Sequence, residues 1–485
     1  MIPHTRPPTS STRSTPSAVR PVWQGQALLV LCIFGACLVG IFSRPIGYLA
    51  AFWPANAIML GVLLRHPRLA HRASTWLWSL LAFATADLLT GSTWFVASTL
   101  NLANVAGVWL AWRYMSKQGE QVLRFQRQKS VMVLFVGCVL GALGCAAVGA
   151  WPGSIAFGVP LWRSMALWAS TEFYNFLLIV PLFLSAPQGW FWQWSRTPIR
   201  WQWHYTLPLA ALISSEVLSL VIGGPGAIAF IMPAMVWCAM SYGVFPITVL
   251  NFLVCFGKTA AIAMGALSFT PEHVMEVTSY RTGLALLSLA PLAVACAYAL
   301  RMQSLQRLHH AVNHDYLTGV LTRRALMEHG QKLLTRLEEE GVPVAVLMLD
   351  IDHFKSVNDR YGHAQGDTVL QSFAHLASAA VRPGDLLGRM GGEEFAVVLP
   401  RTDRKQALSV GLRLCDLLRE HRFELEDGST LQVTLSVGLH AVTAISQMDT
   451  LEQLLAKADD ALYHAKNNGR DQVHQYGPSL APSSI

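Results

Sequence analysis

The chain has 485 residues, of which 53% are hydrophobic and only 13% charged, and a formal net charge of +7 at pH 7. With a mean hydropathy of +0.38, that balance excludes an ordinary soluble two-domain protein and requires much of the chain to face lipid. The charge is also divided. Residues 1–300 carry 17 basic and 6 acidic side chains and residues 301–485 carry 19 and 23, so the excess cations sit among apolar runs and argue against a nucleic-acid partner.

An N-terminal segment, residues 1–23, is rich in Pro and Ser and reads as a disordered tail. Residues 24–300 then read as a multi-span membrane domain. Apolar stretches fall at 24–43, 46–64, 74–89, 93–114, 130–150, 160–184, 205–222, 226–240, 245–265 and 282–300. That pattern gives about ten spans, or about eight if two are re-entrant. Arg6, Arg13 and Arg20 precede the first run, Arg65, Arg68 and Arg72 follow the second, and Arg113, Lys117, Arg124, Arg127 and Lys129 follow the fourth. The positive-inside rule therefore puts both termini and the last third of the chain in the cytoplasm. Asp87, Glu172, Glu216 and Lys258 lie inside apolar runs, where an unpaired charge is costly, so they are expected either to line a sensing pocket or to pair internally. Trp190, Trp192, Trp194, Trp201 and Trp203 read as an interfacial aromatic belt. The eight cysteines show no paired spacing and read as small buried hydrophobes.

Residues 301–314 keep helical spacing through Met302, Leu305, Leu308 and Val312 and predict a stiff connecting helix. Beyond it the elements alternate. Helices are expected at 323–340, 367–381, 404–421 and 451–467, strands at 344–349 and 431–442, and a hairpin with arms at 386–389 and 395–399. This is an α+β sheet-and-helix domain over 315–477, with a short tail at 478–485.

Two segments carry the chemistry. Asp350 and Asp352 end an apolar strand and project to one face, an expensive arrangement unless a cation or hydrogen bonds compensate them. Glu393, beside Gly391 and Gly392 in the hairpin turn, is placed to add an opposing oxygen, and such hard oxygens suit Mg²⁺. Asn358 and Asp367 form an amide and carboxylate pair able to read a guanine edge. Lys466 and Arg470 are spaced one helical turn apart, as a triphosphate clamp needs.

Asp315-Tyr-Leu-Thr318, Asp350-Ile-Asp-His-Phe-Lys355, Asn358-Asp359, Gly362-His363, Gly366-Asp367, Gly391-Gly-Glu-Glu-Phe395 and Lys466-Asn-Asn-Gly-Arg470 occur in that order. Through them the last third of the chain resembles the GGDEF diguanylate cyclases. The resemblance implies a ferredoxin-like nucleotide-cyclase palm and condensation of two GTP into cyclic di-GMP with release of two pyrophosphates. It also implies a homodimer, each domain holding one GTP. Residue by residue, it implies that Asp350, Glu393 and the Ile351 carbonyl hold the cation, Mg²⁺ or alternatively Mn²⁺. Phe354 and Lys355 would lie on a phosphate-cradling turn, Asn358 and Asp367 read guanine, and Lys466 and Arg470 hold the triphosphate. Glu394 would assist the cations or deprotonate the 3′-hydroxyl. Arg382-Pro-Gly-Asp385 resembles the family's product-inhibition motif, with Arg382 and Asp385 gripping cyclic di-GMP. The apolar half, notably Phe52-Trp-Pro-Ala-Asn-Ala57, resembles the integral membrane sensor domain joined to such cyclases. Two rivals are a catalytically silent nucleotide receptor and a transporter with a regulatory domain.

Overall fold

The computed structural model describes residues 21–42, 52–187, 203–263, 274–424, 430–446 and 449–477. The expected N-terminal and C-terminal tails, and all of the tryptophan belt except Trp203, lie outside the described residues. The chain divides into two compact units, Met1–Gln303 and Ser304–Ile485.

The first unit is helical. Its apolar helices are α1 (Val22–Phe42), α2 (Pro54–Arg65), α3 (Ala73–Leu89), α4 (Trp94–Met115), α5 (Ser130–Phe157), α6 (Leu161–Ser185), α7 (Trp203–Ile222), α8 (Met232–Ser241), α9 (Val244–Ala263) and α10 (Val274–Asn313). Six of these, α1, α4, α5, α6, α9 and α10, are long and apolar enough to cross a membrane. Small residues set how closely the helices approach. A Cβ on Gly107 of α4 would stand 2.1 Å from Cys145 Sγ of α5, so only glycine fits that crossing. Large side chains such as Leu31, Trp94, Trp151 and Val221 stay exposed on the helix surfaces, as a lipid-facing surface requires.

The second unit is a six-stranded sheet with helices on both faces. Its strands are β1 (Leu321–Thr322), β2 (Val344–Ile351), β3 (Leu386–Gly391), β4 (Glu394–Pro400), β7 (Leu435–Val442) and β8 (Val473–Gln475), while β5 (Phe423–Glu424) and β6 (Thr430–Leu431) form a separate small ribbon. The helices are α11 (Arg323–Glu340), α12 (Phe354–Tyr361), α13 (His363–Ala380), α14 (Arg404–Glu420) and α15 (Leu451–Asn467). The sheet order is β1-β3-β4-β2-β7-β8, and its four central strands are mutually antiparallel, the ferredoxin-like βαββαβ arrangement.

Burial on both faces explains why β2 is apolar without a break from Val344 to Leu349. Ala345, Leu347, Leu349 and Ile351 pack with α12, α13 and α14, whereas Val344, Val346 and Met348 pack with α11 and α15. Side-chain caps fix the starts of α11, at Thr322, and of α14 and α15, through capping boxes of Asp403 with Gln406 and Thr450 with Gln453.

Three local expectations need correction. The segment after Asp352 is a helix, α12, rather than a turn, because His353 takes a left-handed conformation (φ 57°) that restarts the chain as a helix. The strand expected at 431–442 is interrupted, giving β6 and β7. Helix α15 stops at Asn467, so Lys466 and Arg470 do not share a helix; Gly469 (φ 108°) turns the chain, and Arg470 itself is left-handed (φ 63°).

Candidate active site

The central strand delivers Asp350 to the end of the sheet, where its register partners are Glu394 on β4 and Ser436 on β7. Asp350 is 6% exposed. Its Oδ2 lies 2.6 Å from Lys466 Nζ, which arrives on the last turn of α15. Burial pushes the Asp350 carboxyl above the ordinary carboxylate range; Lys466 draws it down, and the nearby charges of Glu393 and Glu394 push it up again. Asp350, Glu393, Glu394 and Lys466 therefore come together as one electrostatic site.

The turn carrying Glu393 is built by glycine. Gly392 has φ 53° and Gly391 φ 157°, and the β3–β4 register slips between Arg389 and Gly391. Arg389 braces this bend from outside, donating through Nε and Nη2 to the Gly392 carbonyl at 2.9 and 2.8 Å. Its Nη1 bonds Asp315 Oδ1 at 3.0 Å, and the same oxygen accepts from the Thr318 N–H and hydroxyl. Burial would raise Asp315, but the Thr318 donors and Arg389 outweigh it and hold the carboxyl below its ordinary value. The opening of the domain thus holds the turn of the site across 74 residues of sequence.

Asp352, just beyond the end of β2, diverges from Asp350. Its Oδ1 accepts from Ser436 Oγ at 2.7 Å, and its Oδ2 from Thr434 Oγ1 at 2.7 Å and the Asp471 N–H at 3.1 Å. Asp471 also receives Arg419 through Nε at 2.7 Å and Nη2 at 2.9 Å. Hydrogen bonds thus compensate one carboxylate and a cation the other. Asp352 and Arg419 anchor the loop that carries Arg470, a role that no local motif announces.

The Ile351 side chain is buried in the core, which leaves only its main chain to serve the site. Phe354 is buried at the start of α12 and Lys355 beside it is exposed. Asn358 on α12 and Asp367 on α13 flank the junction of those helices. The junction is tight: a Cβ on Gly366 would stand 1.9 Å from Asn358 Oδ1 and 3.1 Å from Phe354 Cζ. Asp367 and Arg470 are exposed.

Arg382 and Asp385 occupy a separate turn. Asp385 Oδ2 accepts from the Arg382 N–H at 2.7 Å, and Gly384 (φ 111°) closes the bend. Burial pushes Asp385 above its ordinary value, against the Arg382 N–H and the charges of Arg382 and Arg413. Arg413, on α14, donates to the Ala380 carbonyl at 2.6 Å and faces the same turn. Its place beside Asp385 follows from packing of α14 and was not readable from the motif.

In the membrane unit, Lys258 Nζ lies 3.1 Å from Glu216 and 2.8 Å from Ser219 Oγ, so these two charges pair internally. Asp87 accepts from Asn101, and Glu172 is buried on α6.

The oxygen donors at Asp350 and Glu393 fit a hard divalent cation. Among the described residues no three His, Cys, Asp or Glu side chains meet as a metal-binding group, so a cation here would complete its shell with main-chain oxygen, water and phosphate.

A buried carboxylate at the end of a βαββαβ sheet, facing an acidic glycine turn and a lysine, defines a nucleotide-cyclase site. The family model "Diguanylate cyclase, GGDEF domain" matches residues 312–472. "Probable diguanylate cyclase DgcF" of Escherichia coli O157:H7 is 30% identical over 451 residues, covering 91% of this chain and 93% of that protein. The protein of the same name from Escherichia coli K12 is 31% identical over 324 residues, covering 65% of this chain and 99% of its own length. Among solved structures, the GGDEF domain of DgcB from Caulobacter crescentus, in complex with c-di-GMP, is 27% identical, covers 34% of this chain and 94% of that one, and has a TM-score of 0.33. The chain belongs to the GGDEF diguanylate cyclase family, and its enzyme activity is that of a diguanylate cyclase.

Proposed function

We propose that the enzyme condenses two GTP into cyclic di-GMP at the Asp350 site, with Asp350, Glu393 and the Ile351 carbonyl holding Mg²⁺, or Mn²⁺ in its place. The observation that carries this reading is the buried Asp350 carboxyl, set against Glu393 and Glu394 and held by Lys466 at 2.6 Å. A bound divalent cation would supply charge neutralisation at the phosphates. The remaining work falls to the chain. Asp367 accepts from the ring N–H and exocyclic amine of guanine and the Asn358 amide bonds the same edge, while Phe354 and Lys355 start a helix whose N-terminal N–H groups suit phosphate. Lys466 exchanges Asp350 for the triphosphate, and Arg470 joins it from the loop tied down by Asp352.

Each 3′-hydroxyl attacks the α-phosphate of the other GTP. An O–P bond forms as the bond to pyrophosphate breaks, and the hydroxyl proton passes to a carboxylate, for which Glu394 is our assignment. One domain holds one GTP, so the working enzyme is a homodimer with its sites head to tail. Arg382 and Asp385, with Arg413 beside them, form a product site for feedback inhibition. Residues 24–300 act as the sensor in the lipid bilayer of the inner membrane, and residues 301–314 link it to a cytoplasmic cyclase domain at 315–477.

Incubating the purified full chain with GTP and Mg²⁺ and assaying cyclic di-GMP tests the reading. Turnover is expected in the native chain and its loss, by at least about a hundredfold, in Asp350→Ala and Glu393→Ala. Nucleotide binding without any product would instead leave a receptor. Arg382→Ala is expected to abolish inhibition by added product while sparing initial rate; unchanged inhibition removes the product site.

A further inference from the structure

A run of buried polar side chains crosses four helices of the membrane unit and has a direction. Asn56 Nδ2 of α2 donates to Asn104 Oδ1 of α4 at 2.9 Å, Asn104 Nδ2 donates to Asn101 Oδ1 at 3.0 Å, and Asn101 Nδ2 donates to Asp87 Oδ2 of α3 at 2.7 Å. Every carboxamide donates in the direction of Asp87, whose carboxyl accepts from Asn101. At the opposite end the Asn56 side chain meets the carboxyl of Glu172 on α6. There the accounting fails: Asn56 Oδ1 and Glu172 Oε2 are both buried acceptors with no hydrogen-bond partner. Asn56 is 0% exposed and Glu172 2%.

Among the described residues no cation is paired with Glu172. From α9, Lys258 is taken by Glu216 and Ser219. From α10, Arg281 donates to Thr171 Oγ1 at 2.6 Å. From α5 the facing titratable group is the Cys145 thiol, within 4.0 Å of Asn56 Nδ2. On α6 itself, Tyr174 is bonded to the Cys255 carbonyl and Thr259, and Arg65, at the end of α2, is bonded to the Phe183 carbonyl. An ionised carboxylate buried without a cation is far more costly than a neutral acid. Asn56 and Glu172 each leave a buried acceptor without a donor, and a neutral carboxyl at Glu172 supplies a hydrogen.

We propose that Glu172 is a proton-binding site, its O–H donating to Asn56 Oδ1 while Asn56 Nδ2 keeps its bond to Asn104. Loss of the proton to water converts Glu172 from donor to acceptor. Asn56 must then turn Nδ2 to the new carboxylate, giving up Asn104 and disordering the run to Asp87. Resting on the reading that the membrane unit controls the cyclase, this makes proton activity a signal that the unit takes up.

Infrared difference spectroscopy of the full chain in lipid nanodiscs, between acid and alkaline pH, tests the site. A protonated carboxylic-acid stretch is expected that vanishes in Glu172→Gln and shifts to the position of an unbonded acid in Asn56→Leu. The second variant carries the test if the first does not fold. A spectrum unchanged by either substitution overturns the site. Cyclic di-GMP synthesis by the same samples across pH is expected to show an inflection in the native chain that is lost in Glu172→Gln. An identical rate profile beside a confirmed acid band overturns the link to the cyclase while leaving the GTP chemistry of the soluble unit untouched.

Discussion

Lys466 at 2.6 Å from Asp350 places a positive charge on a buried acid that the charges of Glu393 and Glu394 disfavour. The Asp350 side chain is 9% exposed and that of Lys466 32%, so the pair is partly screened and its loss leaves a largely buried acid beside Glu393 and Glu394. Lys466→Met is expected to lower the stability of the metal-free chain by about 1–3 kcal/mol, with added Mg²⁺ narrowing the gap, as thermal shift with and without chelator will show. A gap indifferent to the cation would mean that Lys466 does not stand in for one. Asp315 makes the complementary case. Its folded pKa lies below the ordinary value, so its stabilisation is complete above that value and disappears as pH falls through the lowered one. Asp315→Asn should therefore cost about 1–3 kcal/mol at neutral pH and nearly nothing at strongly acid pH. Equal costs at both ends would show that the Arg389 and Thr318 contacts do not depend on its charge.

At the scale of elements, legibility followed locality. Strand β2, the β3–β4 hairpin and α15 were readable because burial on both faces, a glycine pair and a continuous apolar stripe are written in adjacent residues. Helix α12 was not, since its 8 residues begin at a left-handed His353 rather than at a sequence cap. The offset of Arg470 from α15 was hidden because spacing alone cannot reveal that Gly469 ends the helix. Nor could sequence pair Asp315 with Arg389, Asp352 with Ser436, or Glu216 with Lys258, because those contacts depend on how distant elements pack. The junction of α12 and α13 yields a prediction at this scale. A methyl group at residue 366 would collide with Asn358 Oδ1 and press on Phe354, so the two helices must part or Asn358 must rotate away. Gly366→Ala is expected to raise the KM for GTP at least about tenfold, with a smaller change in thermal stability, because on our reading the displaced Asn358 amide serves the nucleotide rather than the core. An unchanged KM would remove Asn358 from guanine recognition.

For the molecule as a whole, the decisive constraint is stoichiometric. Each product contains two nucleotides, the site at Asp350 is assembled from one sheet and its flanking helices, and our reading gives each domain a single GTP. Two competent domains must then meet for either phosphodiester to form, so one defective partner silences both. Full-length chains carrying two different affinity tags, one native and one Asp350→Ala, can be co-expressed and the mixed dimer isolated by sequential purification. Its specific activity is expected to be near background, below about a tenth of the native dimer, whereas domains working alone would leave about half. Retention of that half would separate the chemistry from dimerisation. It would also take away the means by which helix α10, running Val274–Asn313, could set output through the pairing of its chains.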